Sequence, residues 1–236
     1  MKARFIEINR IASDTGAFTV EPQEPFTFQP GQTCDITLTS PRYEDEKGSI
    51  RTFSIASSPA DLPRLTFATR LTGSAFKRSL LEAPAGTELE VDGPYGSFTL
   101  HRNAAKPAVC FAGGIGITPF RAIVKDAAER ALPHSITLFY SNRSAGGTAF
   151  LAELEAWQRQ NSHFRLVPTI TAPVDGESWA HHVGLIDAAF VKRHLPDGEA
   201  IYYIAGPPAF VTGMRQALDT LGADPDNIRT EEFPGY

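Results

Sequence analysis

In this chain of 236 residues, the segment best suited to binding a ligand is the glycine-rich one at residues 111–120. Its sequence, FAGGIGITPF, leads from an apolar strand through three closely spaced glycines into a helix. Glycine lets the backbone approach a ligand closely, and the free N–H groups of a helix N-terminus favour a pyrophosphate. Thr118 is predicted to cap this helix, and Pro119 suits its first turn. A tight turn that binds nothing is the alternative.

A second candidate is the segment RTFS at residues 51–54. Strand alternation places Arg51 and Phe53 on one face and Thr52 and Ser54 on the other. An arginine can hold a phosphate, an aromatic ring can pack on a planar cofactor, and a hydroxyl can hydrogen-bond a ring nitrogen. An exposed strand edge with no ligand is the alternative here.

Two later segments are also candidates, and one of them resembles the first. Residues 204–211, IAGPPAFV, again contain a strand end, a glycine turn and a helix start. Ligands of open α/β sheets bind beyond the carboxyl ends of the strands, so this turn is predicted to face the same crevice as residues 113–118. Residues 228–236, IRTEEFPGY, are either a frayed tail or a segment that folds an aromatic ring over a cofactor.

The elements that must position these segments change in kind near residue 100. Before it, short β-type runs alternate with glycine and proline turns, and Ser74–Leu81 is predicted to be helical, which indicates an antiparallel barrel or sandwich. From residue 107, strands and helices alternate, which indicates a parallel sheet with helices on both faces. Two domains are therefore predicted, at residues 1–102 and 103–236.

Composition excludes several classes of function. A net charge of −5 disfavours a general nucleic-acid binder. Two cysteines are too few for an iron–sulfur cluster, and no metal-ligand spacing appears, so no metal site is predicted. No apolar run is long enough for a secretory signal or a membrane span, so a soluble, cytoplasmic protein is the default expectation. The charged stretch at residues 42–47 is predicted to be an exposed hairpin tip, with a docking loop as the alternative.

Taken in order along the whole chain, these segments resemble the ferredoxin–NADP(+) reductase superfamily. The motifs that carry the resemblance are FQPGQ at 28–32, RTFS at 51–54, GSAF at 73–76, GPYGSF at 93–98, GGIGITP at 113–119, YSNR at 140–143, GPP at 206–208 and EEF at 231–233. The resemblance implies an N-terminal antiparallel flavin-binding β-barrel and a C-terminal doubly wound nucleotide-binding domain. Phe53 stands where tyrosine is commoner, and Ala205 where many members have cysteine.

The resemblance also implies roles on the flavin side. Arg51 would hold the flavin phosphate, Phe53 would pack on the isoalloxazine, and Ser54 would hydrogen-bond the flavin near N5. Further residues implied to contact FAD are Thr52, Gly73, Ser74 and Ala75.

On the nicotinamide side, Phe233 would cover the flavin until the nicotinamide displaces it. Glu231 would be the nearby carboxylate, and Tyr236 is the competing aromatic ring. Ser54, Glu231 and Phe233 are thus the implied catalytic residues. The residues implied to bind the coenzyme are Gly113, Gly114, Gly116, Thr118, Ser141, Arg143, Gly206 and Pro207.

The implied function is an FAD-dependent oxidoreductase that transfers hydride between NAD(P)H and flavin. NADPH is expected over NADH, because Arg143 can pair with a 2′-phosphate and no acidic residue stands at Ser141 or Asn142. The chain holds no iron–sulfur or haem domain, so a separate carrier, most simply ferredoxin or flavodoxin, or a small molecule is the expected acceptor. The alternatives are a free-flavin or quinone reductase, an oxygenase reductase subunit, and a silent flavin-binding subunit.

Overall fold

The computed structural model describes residues 1–196 and 198–233. Six strands near the N-terminus form one antiparallel sheet. They are β1 (Lys2–Ala12), β2 (Thr15–Pro22), β3 (Thr33–Leu38), β4 (Ile50–Ser54), β5 (Leu65–Arg70) and β6 (Glu88–Tyr95), and helix α1 (Ala75–Leu81) lies between β5 and β6. In β3, burial alternates residue by residue, as expected of a strand with one face on the core.

This sheet curls so that its two edge strands approach each other. The strand order is β4-β3-β6-β1-β2-β5, and just beyond β4 the Ala56 amide donates to the Thr66 carbonyl of β5 at 2.8 Å. The rings of Phe18, Phe53 and Phe67 fill the space that the curled sheet encloses. The predicted antiparallel barrel is therefore confirmed.

A second, fully parallel sheet follows. Its strands are β7 (Ala108–Gly113), β8 (Ile136–Asn142), β9 (Phe164–Ile170), β10 (His182–Val183), β11 (Ile201–Gly206) and β12 (Ile228–Glu232). Its helices are α2 (Ile117–Glu129), α3 (Leu151–Gln160), α4 (Ala188–Lys192) and α5 (Pro208–Thr220). Every residue of β7 and β11 is buried, because apolar clusters lie on both faces of the sheet. Across residues 1–196 and 198–233, no helix is both long and apolar enough to cross a membrane.

The order of this sheet creates a crevice. It runs β10-β9-β8-β7-β11-β12, so the chain moves outward from β7 through β8 and β9 and then returns to the other side of β7. Neighbouring strands whose connections leave in opposite directions define the switch point at which open α/β sheets bind ligands. Here that point lies between the ends of β7 and β11, at Gly113 and Gly206. The predicted doubly wound sheet is confirmed, and the proposed division at residues 102 and 103 falls between the two sheets.

Contacts between the barrel and helix α2 fix one sheet against the other. Arg121 of α2 donates to the Ala56 carbonyl at 2.7 Å, and the Ser58 hydroxyl donates to Glu129 of α2 at 2.6 Å. The Arg121 side chain is largely buried. These bonds hold the chain that leaves β4 against the second sheet, which places Ser54 beside the switch point.

Candidate functional site

Ser54 and Glu231 bring the two sheets together at the crevice. Ser54 ends β4 with 3% of its surface exposed, and Glu231 lies on β12, opposite Ala205 of β11. Burial raises the pKa of Glu231 to about 7, and the neighbouring Ser54 hydroxyl partly offsets this rise. The two groups are neighbours, yet neither Ser54 Oγ nor Glu231 Oε2 makes a hydrogen bond of standard geometry to any described residue. Two buried polar atoms without partners indicate a place for a polar ligand.

Arg51 lies at the other end of β4 with one donor group unused. Its Nη1 donates to the carbonyls of Lys47, Gly48 and Ile50 at 2.8, 2.9 and 2.6 Å. Its guanidinium carbon lies 5.3 Å from the centre of the Phe76 ring. Its Nη2 is buried and makes no hydrogen bond within the described part of the chain. This rigidly held cation suits a phosphate.

Asp45 meets the residues that were predicted to bind the flavin phosphates. Its carboxylate lies 3.6 Å from Arg51 Nη2 and accepts from the Ala75 amide at 3.1 Å. Ser74 is the N-cap of α1 and accepts from the Lys77 amide at 3.4 Å, while Gly73 before it is exposed. The loop thus places a negative charge at the predicted phosphate position.

The charged stretch at 42–47 is therefore more than the predicted exposed hairpin tip. The Tyr43 amide donates to the Ser79 hydroxyl of α1 at 2.9 Å, and Arg42 pairs with Glu82 at 2.7 Å. Charge density alone indicated exposure, and it did not reveal that α1 offers polar partners on the facing side. Asp45 is a residue that the sequence analysis missed.

Phe53 and Thr52 are placed mainly by the barrel. The Phe53 ring is 8% exposed and lies 5.1 Å from Phe18 and 5.8 Å from Phe76, measured between ring centres. Most of the ring therefore belongs to the core, and only a small part is open to a planar ligand. The Thr52 hydroxyl donates to Asp35 at 2.5 Å. The predicted flavin contacts of both residues stay predictions.

The first glycine turn has the close approach that its composition predicted. Gly114 has φ +54°, and a Cβ on Gly116 would lie 2.2 Å from the carbonyl oxygen of Ala205. Only glycine fits where the chain leaving β7 crosses the end of β11. Gly113, the last residue of β7, pairs in register with Ser141 of β8. The turn and the end of β8 thus lie side by side.

The predicted helix cap at Thr118 is wrong. A short 3-10 turn at Gly114–Gly116 comes first, and α2 begins at Ile117 with Gly116 in the cap position. Thr118 therefore lies inside the helix, where its hydroxyl donates to the Ile115 carbonyl at 3.1 Å and its side chain is 3% exposed. Pro119 does occupy the first turn. The predicted contact of Thr118 with a diphosphate stays a prediction.

The second glycine turn holds Phe233. The Gly206 carbonyl accepts from the Phe233 amide at 3.0 Å, which continues the β11–β12 pairing by one residue. The Phe233 ring is partly buried against the apolar cluster that includes Ala112 and Ile115. Pro207 is the cap residue of α5. The competing ring, Tyr236, lies outside the described residues.

The loop after β8 is held from two directions. Ser141 is half-buried and Arg143 is exposed. The amide and hydroxyl of Ser13, from the barrel, both donate to the Gly146 carbonyl at 2.8 Å. From the other side, the Glu177 carboxylate accepts from the amides at residues 145 and 146. Neither Ser13 nor Glu177 lies in a motif, so sequence analysis gave no signal for them.

Comparisons with known proteins agree with this fold. Residues 111–216 match the family described as the oxidoreductase NAD-binding domain. The cytochrome P450 reductase of Amycolatopsis has a similar structure, with a TM-score of 0.84 and 25% identity over 99% of this chain and 70% of that one. The FAD/NAD-binding domain of nitric oxide dioxygenase from Vibrio cholerae shares the fold, with a TM-score of 0.83 and 21% identity over 98% of both chains.

Curated relatives are similar over most of this chain. Reductase component 1 of terephthalate 1,2-dioxygenase from Comamonas is 26% identical over 87% of this chain and 59% of its own length. The xylene/toluene monooxygenase electron transfer component of Pseudomonas putida is 28% identical over 95% of this chain and 63% of its own. The chain therefore spans about three fifths of the length of these relatives. The resemblance to the ferredoxin–NADP(+) reductase superfamily is confirmed.

Proposed function

We propose that this chain, which has the two-domain fold of the ferredoxin reductase-like FAD/NAD-binding oxidoreductases, is an FAD-dependent NAD(P)H reductase. The observation that carries the proposal is the meeting of Ser54 and Glu231 at the switch point. Each presents a buried polar atom that has no partner within the described residues. One residue comes from the barrel and the other from the nucleotide-binding sheet, so a ligand there contacts both sheets.

The barrel residues suit FAD. Arg51 Nη2 offers an unused donor for a phosphate, and the Ala75 amide at the start of α1 offers another once Asp45 withdraws. Ser54 Oγ would hydrogen-bond the ring system near its reactive nitrogen. When bound, the flavin supplies the chemistry of accepting hydride and releasing electrons singly.

The second sheet suits the coenzyme. The backbone of Gly113, Gly114 and Gly116 lies at the switch point, where a diphosphate binds in sheets of this kind. Ser141 and Arg143 follow on the neighbouring strand and would lie along the adenosine ribose. Phe233 would shield the crevice from water, and Glu231 would hold or release a proton near neutral pH.

The acceptor is proposed to be a separate soluble carrier such as ferredoxin or flavodoxin, or a small molecule. A second candidate is the reductase subunit of an oxygenase. The names of the curated relatives favour it, because they include a dioxygenase reductase component and a monooxygenase electron transfer component. Free-flavin reduction and quinone reduction are further alternatives. A silent flavin-binding subunit is disfavoured, because it would have no need for both glycine turns.

A purified sample reconstituted with FAD tests the proposal. Heat release and chromatography identify the flavin, and turnover with NADPH and NADH is then compared across ferredoxin, flavodoxin, a quinone, free flavin and a purified oxygenase component. We expect bound FAD and turnover with at least one acceptor. In Ser54→Ala we expect retained flavin and a slower reduction of it by coenzyme. A protein that holds no flavin after reconstitution contradicts the proposal.

A further inference from the structure

Glu177 reaches the loop after β8 from a different part of the chain. Its Oε2 accepts from the Ala145 amide at 3.1 Å, and its Oε1 accepts from the Gly146 amide at 3.0 Å. The two residues that donate lie just beyond Arg143 in the chain. Glu177 itself is half-buried and belongs to the loop between β9 and β10.

Two successive backbone amides that point at one carboxylate form an anion-binding arrangement. Phosphate oxygens favour the same donors as carboxylate oxygens. The loop that carries these amides begins where β8 ends, beside the first glycine turn, because Ser141 pairs with Gly113. The Glu177 carboxylate thus already occupies two backbone donors that lie two and three positions beyond Arg143.

We propose that Glu177 is a specificity residue that opposes a 2′-phosphate on the adenosine ribose of the coenzyme. This inference rests on the proposed function, in which the loop after β8 binds that ribose. Arg143 attracts the phosphate, while Glu177 repels it and competes for the amides at residues 145 and 146. A ribose with a free 2′-hydroxyl meets no such penalty, since a hydroxyl can donate to a carboxylate.

The chain offers a matched control on the same loop. Asp175 is exposed, and within the described residues it makes no hydrogen bond or ion pair. Asp175→Asn removes one negative charge two positions from Glu177 without removing a contact. Glu177→Gln also removes one charge, and its amide oxygen still accepts from a backbone N–H, so the loop keeps part of its support.

The test uses the complete chain and two probes that contain only the adenosine end of the coenzymes. Adenosine 2′,5′-bisphosphate and adenosine 5′-monophosphate are titrated by calorimetry into the wild type, Glu177→Gln and Asp175→Asn. In Glu177→Gln we expect the bisphosphate to bind about three- to tenfold more tightly and the monophosphate to change by less than about twofold. In Asp175→Asn both affinities should change by less than about twofold.

Three outcomes overturn the inference in different ways. If Glu177→Gln leaves bisphosphate binding unchanged, weakens it, or alters both probes equally, Glu177 does not read the 2′-position, and the proposed nucleotide site still stands. An Asp175→Asn effect equal to that of Glu177→Gln would assign the change to general loop charge and also overturn it. If neither probe binds the wild type, the proposed site for the coenzyme fails as well.

Discussion

Ser54 and Glu231 lie 177 positions apart in the chain, yet the Ser54 hydroxyl sits beside the Glu231 carboxyl. Ser54 is held beside Glu231 by the chain that follows it, because Arg121 donates a hydrogen bond to the Ala56 carbonyl. Glu231 is held by the parallel pairing of β12 with β11. The end of β4 in the barrel and β12 in the second sheet therefore contribute side chains to one site.

The raised pKa of Glu231 predicts a specific pH dependence of stability. Burial lifts this pKa from 4.5 to about 7, so protonated Glu231 stabilises the fold, fully below its unfolded pKa. That contribution, up to about 3 kcal/mol, is lost as pH rises through 7. Urea unfolding near pH 5 and near pH 8 should show a smaller loss of unfolding free energy in Glu231→Gln than in the wild type. Equal losses would mean that Glu231 titrates normally.

Asp45→Asn should tighten FAD binding by about three- to tenfold, because its carboxylate competes with the diphosphate for Arg51 and the Ala75 amide. Equilibrium titration of the flavin-free protein with FAD measures this. Glu46→Gln is the control, since Glu46 is an exposed neighbour without a hydrogen bond or ion pair in the described chain. Weaker FAD binding in Asp45→Asn would show that Asp45 organises the site.

Arg143→Ala should weaken binding of NADPH by roughly tenfold and leave NADH within about twofold, because a guanidinium–phosphate contact is lost only with the former. Because Arg143 is exposed, its removal should not disturb the fold, so a difference between the two coenzymes would not come from misfolding. Dissociation constants of both coenzymes, measured on the same preparations, decide the matter. An equal loss for the two would show that Arg143 does not contact the phosphate.

Phe233→Ser should tighten coenzyme binding, by roughly two- to tenfold, and weaken the discrimination between NADPH and NADH. The ring must leave before the nicotinamide enters, so only the open fraction binds. Tyr236→Ser is the companion variant. If only the Tyr236 change tightens binding, the ring assignment moves there, and if neither does, Phe233 only packs against the core.

The strands and turns that depend on a few neighbouring residues could be predicted from the sequence. Alternation and glycine turns placed β4, β7 and β11 and the crevice between the last two, because strand period and turn chemistry act over a few residues. The predicted cap at Thr118 is wrong because the 3-10 turn before α2 moves the cap to Gly116. That turn is Gly-Ile-Gly, and no sequence pattern indicates a 3-10 turn there.

The contacts that sequence analysis missed join distant segments. Asp45 meets an amide 30 positions later and Glu177 meets amides more than 30 positions earlier, and neither pairing leaves a periodic trace. The strand β10 has two residues, too few for alternation to appear. Phe53 and Arg51 were predicted to share a face, and both lie against the Phe76 ring. The depth of Phe53 in the core depends on Phe18 and Phe67, which belong to other strands.

The most direct measurement mixes the FAD-loaded protein with NADPH in the absence of oxygen and follows the visible absorbance of the flavin. We expect rapid bleaching of that absorbance in the wild type, since Ser54, Glu231 and the two glycine turns meet at one crevice. We expect much slower bleaching in Ser54→Ala at equal flavin content. An FAD-loaded protein whose flavin stays oxidised with both NADPH and NADH would contradict the proposed function.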